Sequence, residues 1–217
     1  MRIVLVNPNT SVATTAAMVG IAEEEAAGRA EVEGVTARIG VPLITEPGAL
    51  AVAAEAVVAL APALAGADAV IVGAFGDPGL DELRGILPCP VTGIAEAGMA
   101  EAGAGGRRFA VATTTPDLRD SIAATAARHG HGSFAGTWTT PGDPAALTAD
   151  ANALVRALEA ACRAAIAEGG AEAVVIGGGP LACAARTLAK TLPVPIIEPV
   201  PAAVRLSLVR LRPEDQP

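Results

Sequence analysis

Short apolar runs punctuate the chain at Arg2 to Val6, Ala69 to Val72, Val91 to Ile94, Arg108 to Ala112, Ala173 to Ile176 and Pro195 to Ile197, each bounded by Gly, Pro or Asn. Runs of this length between turn residues predict strands buried on both faces. The segments between them carry helical spacing. The clearest, from about Ala153 to Ala167, places Leu154, Val155, Leu158, Ala161, Cys162, Ala165 and Ile166 on one face and Arg156, Glu159 and Arg163 on the other. Strand and helix alternate along the chain, which predicts an α/β fold with parallel sheets.

An internal repeat refines this. Ala67 to Gly73 (ADAVIVG) matches Ala171 to Gly177 (AEAVVIG) at an offset of 171 − 67 = 104. Leu87 to Pro90 answers Leu192 to Pro195 at 105, and Arg2 to Val6 answers Arg108 to Ala112 at 106. Loop insertions produce such drifts. The expectation is two pseudo-symmetric halves, 1–105 and 106–217, each a four-stranded parallel unit with crossover helices, and a C-terminal helix from about Pro201 to Leu211 that crosses back over the first half.

In open parallel sheets ligands bind beyond the carboxyl ends of the strands, where loops vary and helix N-termini aim free N–H groups inward. The loops at these ends read Asn7-Pro8-Asn9-Thr10-Ser11, Gly73-Ala74-Phe75-Gly76-Asp77, Thr113-Thr114-Thr115 and Gly177-Gly178-Gly179-Pro180. They hold hydroxyls, amides and backbone N–H groups, with no Lys or Arg. This suits a small carboxylate or cyclic imide held by neutral hydrogen bonds and does not suit a polyphosphate. The stretches from about Gly40 to Pro47 and Thr139 to Thr148 should line the same pocket.

Composition removes other classes. A net charge of −8 with scattered Lys and Arg provides no basic stripe for nucleic acid. No uncharged apolar run approaches the ~18 residues of a membrane span, and the first apolar run is too short for a secretion signal, so a cytoplasmic protein is expected. Cys89, Cys162 and Cys183 lack metal-type spacing, and only His129 and His131 accompany them, so neither a disulfide framework nor a metal site is implied. Both histidines fall in a Gly-flanked turn after a helix, suiting a helix C-terminal partner. Cys162 reads as core and Cys89 as structural.

The strand-end loops resemble those of the aspartate/glutamate/hydantoin racemase family. Asn7-Pro8-Asn9-Thr10-Ser11 is similar to that family's substrate-anion loop, and Ala74-Phe75-Gly76-Asp77-Pro78-Gly79-Leu80 to its Cys-Phe-(Gly/Asp)-Asp-Pro-Gly-Leu segment. Gly93 to Ala97 and Thr113 to Thr115 resemble further stretches of hydantoin and allantoin racemases. The likeness spans essentially the whole chain. It implies a cofactor-independent isomerase assembled from several subunits, with two thiols exchanging a proton on opposite faces of a substrate carbon. Here the matching positions are Ala74 and Gly178, paired also by the repeat (178 − 74 = 104), and neither side chain transfers protons. The resemblance places substrate against Asn9, Thr10, Ser11, Phe75, Gly76, Thr113, Thr114, Thr115, Gly179 and Pro180.

Among other titratable groups, Glu198 lies directly after a strand and is the first carboxylate to test as an alternative acid or base; Asp77 is a second candidate, although Asp before Pro is also a good helix cap. Glu96 suits a helix first turn. Cys183, five residues beyond Gly178, reaches the cleft only if its helix starts late. Three functions follow for comparison: a racemase or epimerase on a small amino-acid derivative or hydantoin, a carbanion-forming lyase or decarboxylase on the same scaffold, and a non-catalytic binder of small carboxylates.

Overall fold

The computed structural model of the chain describes residues 1–211; for Pro180, Ala182 and Cys183 it describes the backbone alone. Eight strands form two four-stranded, all-parallel sheets. The first contains β1 (Arg2–Asn7), β2 (Glu31–Thr36), β3 (Ala69–Val72) and β4 (Val91–Gly93) in the order β2-β1-β3-β4. The second contains β5 (Phe109–Thr113), β6 (Phe134–Thr139), β7 (Ala173–Ile176) and β8 (Ile196–Ile197) in the order β6-β5-β7-β8. The helices are α1 (Val12–Ala26), α2 (Pro47–Ala59), α3 (Leu80–Ile86), α4 (Ile94–Ala102), α5 (Arg119–Arg128), α6 (Pro144–Ala149), α7 (Ala151–Ala167), α8 (Ala182–Leu188) and α9 (Pro199–Arg210).

The repeat extends to the hydrogen bonds. Gly73 N–H donates to the Val6 carbonyl (2.8 Å) and Gly177 N–H to that of Ala112 (2.8 Å); Ala37 N–H donates to Asn7 (2.9 Å) and Thr140 N–H to Thr113 (3.0 Å). Each half therefore ends its central strands in the same backbone geometry.

Side chains alternate across each strand, and the two faces join different cores. Ile3 and Leu5, Ala69 and Ile71, Phe109 and Val111, and Ala173 and Val175 belong to one inner cluster that draws on both sheets. Val4, Val6, Val70 and Val72 face an outer cluster under α2 and α3, while Ala110, Ala112, Val174 and Ile176 face another with Leu154, Leu158 and Cys162 of α7. Each fully buried Ile, Leu or Phe contributes roughly 1.5–3 kcal/mol. α4 packs against β7 and α5, and α9 against α1 and α4. The inner cluster is thus a common one, closed by helices from both halves.

β2 and β6, at one edge of each sheet, escape the apolar pattern because they are only partly buried, whereas β4 at the opposite edge of its sheet is buried throughout. β2 (EVEGVT) exposes Glu31 and Glu33, and β6 is half-buried throughout. Trp138 of β6 packs on the outer cluster beneath α7; the register gives Val35 as its counterpart on β2, since Ala112 pairs with Trp138 as Val6 pairs with Val35.

Among the described residues no helix is long and apolar enough to cross a membrane, and no group of three His, Cys, Asp or Glu is placed to hold a metal ion.

Candidate functional site

The carboxyl ends of β1, β3, β5 and β7 open into one cavity of about 60 Å³, several times the ~10–15 Å³ that one water requires. Asn9, Ala74, Phe75, Thr113, Thr114, Thr115, Gly178 and Gly179 all line it. So do Leu43 and Ile44 from the loop after β2, Thr148 from α6, and Leu118, Ile122 and Leu181. These last three supply the apolar wall, and no strand-end motif announced them; the helical spacing of Leu118 and Ile122 was the available signal.

The polar half is built from two matching pairs. Asn7 Nδ2 donates to Asn9 Oδ1 (2.8 Å), which also accepts from Ser11 N–H (2.9 Å). In the second half Thr113 and Thr115 share a hydroxyl hydrogen bond (3.0 Å), and Thr113 Oγ1 donates to the Gly177 carbonyl (2.8 Å). These bonds occupy Asn9 Oδ1 and the Thr113 hydroxyl. Asn9 Nδ2 and Thr114 Oγ1 make no hydrogen bond with the described residues, although both residues are buried. Two donors are therefore held ready inside the cavity.

Other sequence candidates stand elsewhere. Ser11 caps α1, its Oγ accepting from Thr14 N–H (3.2 Å), and Thr10 lies beside it outside the cavity lining. Gly76 and Asp77 border a neighbouring recess. Glu198 is not brought to the cavity: it precedes α9 and pairs with Arg186 (3.1 Å), facing Glu24 and Glu25 of α1. Cys162 is fully buried on the inner face of α7, and Cys89 borders a surface recess with Arg84 and Arg210. The side chains of Pro180 and Cys183 lie outside the described residues. Among the described lining residues there is no Asp, Glu, His, Cys, Lys or Arg.

Asp77 does cap a helix, but not the one that follows it. α3 starts at Leu80 behind Gly79, whereas Asp77 Oδ1 accepts from Ala95 N–H (2.8 Å) and Oδ2 from Glu96 N–H (2.7 Å), at the start of α4. A left-handed backbone (φ 52°) swings it there. Burial pushes its pKa up to about 7, against the pull of those two N–H groups. Glu96 Oε2 accepts from Gly93 N–H (3.2 Å), the one half of a capping box open to a glycine N-cap, and Asp77 supplies the other half. Burial raises the Glu96 pKa, but hydrogen bonds from Arg210 and Arg84 outweigh it and hold the group at about 2.

A sequence model described as Asp/Glu/Hydantoin racemase matches residues 3–207. The chain belongs to this racemase family. A hydantoin racemase of Paenarthrobacter aurescens is 30% identical to it, over 97% of this chain and 92% of the relative. The allantoin racemase of Klebsiella pneumoniae shares 33% identity at a TM-score of 0.89, covering 96% of this chain and 86% of that one. That of Pseudomonas fluorescens superposes at 0.90 with 28% identity, covering 97% and 92%. The two-sheet architecture of this family member is thus that of its solved relatives.

Proposed function

We propose that the chain is an isomerase acting on a small cyclic imide such as a 5-alkylhydantoin, or on a related amino-acid derivative, at the carbon beside a carbonyl. The cavity carries this reading: it joins strand-end loops of both halves, keeps Asn9 Nδ2 and Thr114 Oγ1 free of partners among the described residues, and includes Leu118, Ile122 and Leu181 as apolar lining. Relatives named hydantoin and allantoin racemase support the substrate class.

Donors aimed at the carbonyl oxygen stabilise the enolate that forms when the neighbouring C–H ionises. Ala74 and Gly178 occupy the positions that the family resemblance assigns to thiols, so water carries the proton. Hydroxide or water removes it from carbon, the electron pair moves onto the carbonyl oxygen, and water on either face returns a proton. This route forgoes the ~10²–10⁴-fold that positioned acid and base groups supply. One enantiomer of 5-methylhydantoin in deuterium oxide should lose optical rotation and gain deuterium faster with the protein than in buffer alone; equal rates reject the isomerase reading. A second reading, ligand binding without turnover, draws on the absence of ionisable groups among the described lining residues. Saturable binding at the buffer's exchange rate would select it.

A further inference from the structure

We infer that Asp77 is a positioning residue whose carboxylate, with His129 beside it, ties the turn under the cavity to the N-terminus of α4. Asp77 N–H donates to the Ala74 carbonyl (3.1 Å), closing the turn that contains Ala74 and Phe75, both of which line the cavity. The Asp77 carboxylate then accepts both N–H groups at the start of α4, a helix that packs on β7 and α5 of the second half. Phe75 itself lies over Gly177, where an added Cβ would sit 3.3 Å from the ring. One carboxylate therefore sets the cavity floor in relation to the opposite sheet.

Two further features mark the arrangement as built. Gly93 has no side chain where Asp77 needs room, since a Cβ there would fall 2.1 Å from Asp77 Cγ. A non-glycine residue also holds a left-handed φ of 52°, a conformation that side chains rarely adopt, to deliver the carboxylate. His129 Nε2 stands 3.9 Å from Asp77 Oδ2, buried and without a hydrogen-bond partner. Asp81, Glu82 and Arg84 of α3, Glu96 of α4 with Arg210 behind it, and Arg128 and His131 flanking His129 complete the charged surroundings; the α2 residues bordering the recess are uncharged.

An ionised Asp77 accepts both α4 N–H groups fully, and protonation weakens one of the two bonds. Burial places its pKa at about 7 and lowers that of His129, so the anchoring should loosen as pH falls from 8 to 6. The test is an NMR titration of amide shifts in the ligand-free chain. Ala95, Glu96, Ala74 and Phe75 are expected to move together with one midpoint near 7, and the Asp77→Asn variant should abolish the shared transition while the rest of the spectrum persists. With 5-methylhydantoin as probe, the Kd should rise by up to about tenfold per pH unit below the midpoint, and this slope should vanish in Asp77→Asn. Shifts confined to Ala95 and Glu96, with Ala74 and Phe75 still, would overturn the inference. The Kd arm rests on the function proposed above: a probe that fails to bind at every pH would reject that function, and coupled amide shifts would still uphold Asp77's role.

Discussion

Substitution of Gly93 by alanine separates backbone preference from tertiary packing by the sign of its effect. Gly93 has φ −87° and ψ 146°, angles open to any residue, so on local grounds alanine should stabilise the chain by about 0.4–1 kcal/mol through the unfolded state. The structure predicts the reverse. The new Cβ would lie 2.4 Å from each Asp77 oxygen, closer than nonbonded atoms approach, and the carboxylate must leave the α4 cap. Overpacking costs about 1–3 kcal/mol and loss of the cap about 0.5–2. Set against the local gain, the net is a loss of about 2–3 kcal/mol. For a chain of this size that lowers Tm by roughly 5–10 °C. Gly20→Ala is the control, because Gly20 lies within α1 with nothing within 4 Å of a Cβ; it should stabilise by roughly 0.5–1 kcal/mol. Calorimetric melting of both variants provides the assay. A Gly93→Ala protein as stable as the parent, or more so, would refute the description of Asp77 as a cap seated in the glycine's empty space.

Further outcomes can be measured directly. Thr114→Val should weaken 5-methylhydantoin binding about tenfold with little change in Tm, because its hydroxyl has no internal partner, whereas Thr113→Val should cost about 1–3 kcal/mol of stability by stranding the Gly177 carbonyl. Ala74→Cys combined with Gly178→Cys should raise deuterium exchange into 5-methylhydantoin at least tenfold above the parent, at the cost of backbone strain at Gly178 (φ 156°) and a shift of Leu181, which lies 3.1 Å from the added Cβ; an unchanged rate in the folded variant counts against proton transfer at these two positions. Asp77 has a folded pKa of about 7, above its ordinary 3.8, so the fold is most stable with the group protonated, below pH ~4, and that stability is lost as pH rises through 7, because the burial cost of the charge outweighs the tighter hold of the ionised carboxylate on the α4 N–H groups. Denaturation curves of the parent and Asp77→Asn should therefore diverge by about 4 kcal/mol between pH 4 and 8, and parallel curves would contradict it. Glu96 behaves oppositely: held at about 2, it stabilises above pH ~4.5 and that support fades as acid approaches pH 2, an effect that Glu96→Gln should remove from acid-unfolding curves.

Much of the fold was legible because it depends on period and repetition. Six of eight strands stand out as apolar runs: β1, β3, β5 and β7 lie inside the sheets, and β4 and β8, although at the edges, carry short apolar runs. The opposite edges β2 and β6 do not: β2 exposes Glu31 and Glu33 to solvent, and β6 is only half-buried along its length. The repeat also located the strand-end loops, as parallel sheets place all carboxyl ends on one side. Asn9, Ala74, Thr114 and Gly178 accordingly meet in one cavity. Glu198 misled because adjacency to a strand end says nothing of which side a carboxylate turns to, and Arg186 draws it to the α1 surface.

The sequence by itself determined the two parallel sheets, their duplication and the neutral character of the loops, for these follow from local periodicity and residue chemistry. Tertiary structure alone decided that Asp77 caps α4 and not its own helix, that Leu118, Ile122 and Leu181 wall the cavity, and that one inner core serves both sheets. Such features arise from contacts between residues distant along the chain, where chain direction and packing select the partner and local pattern carries no record of the choice.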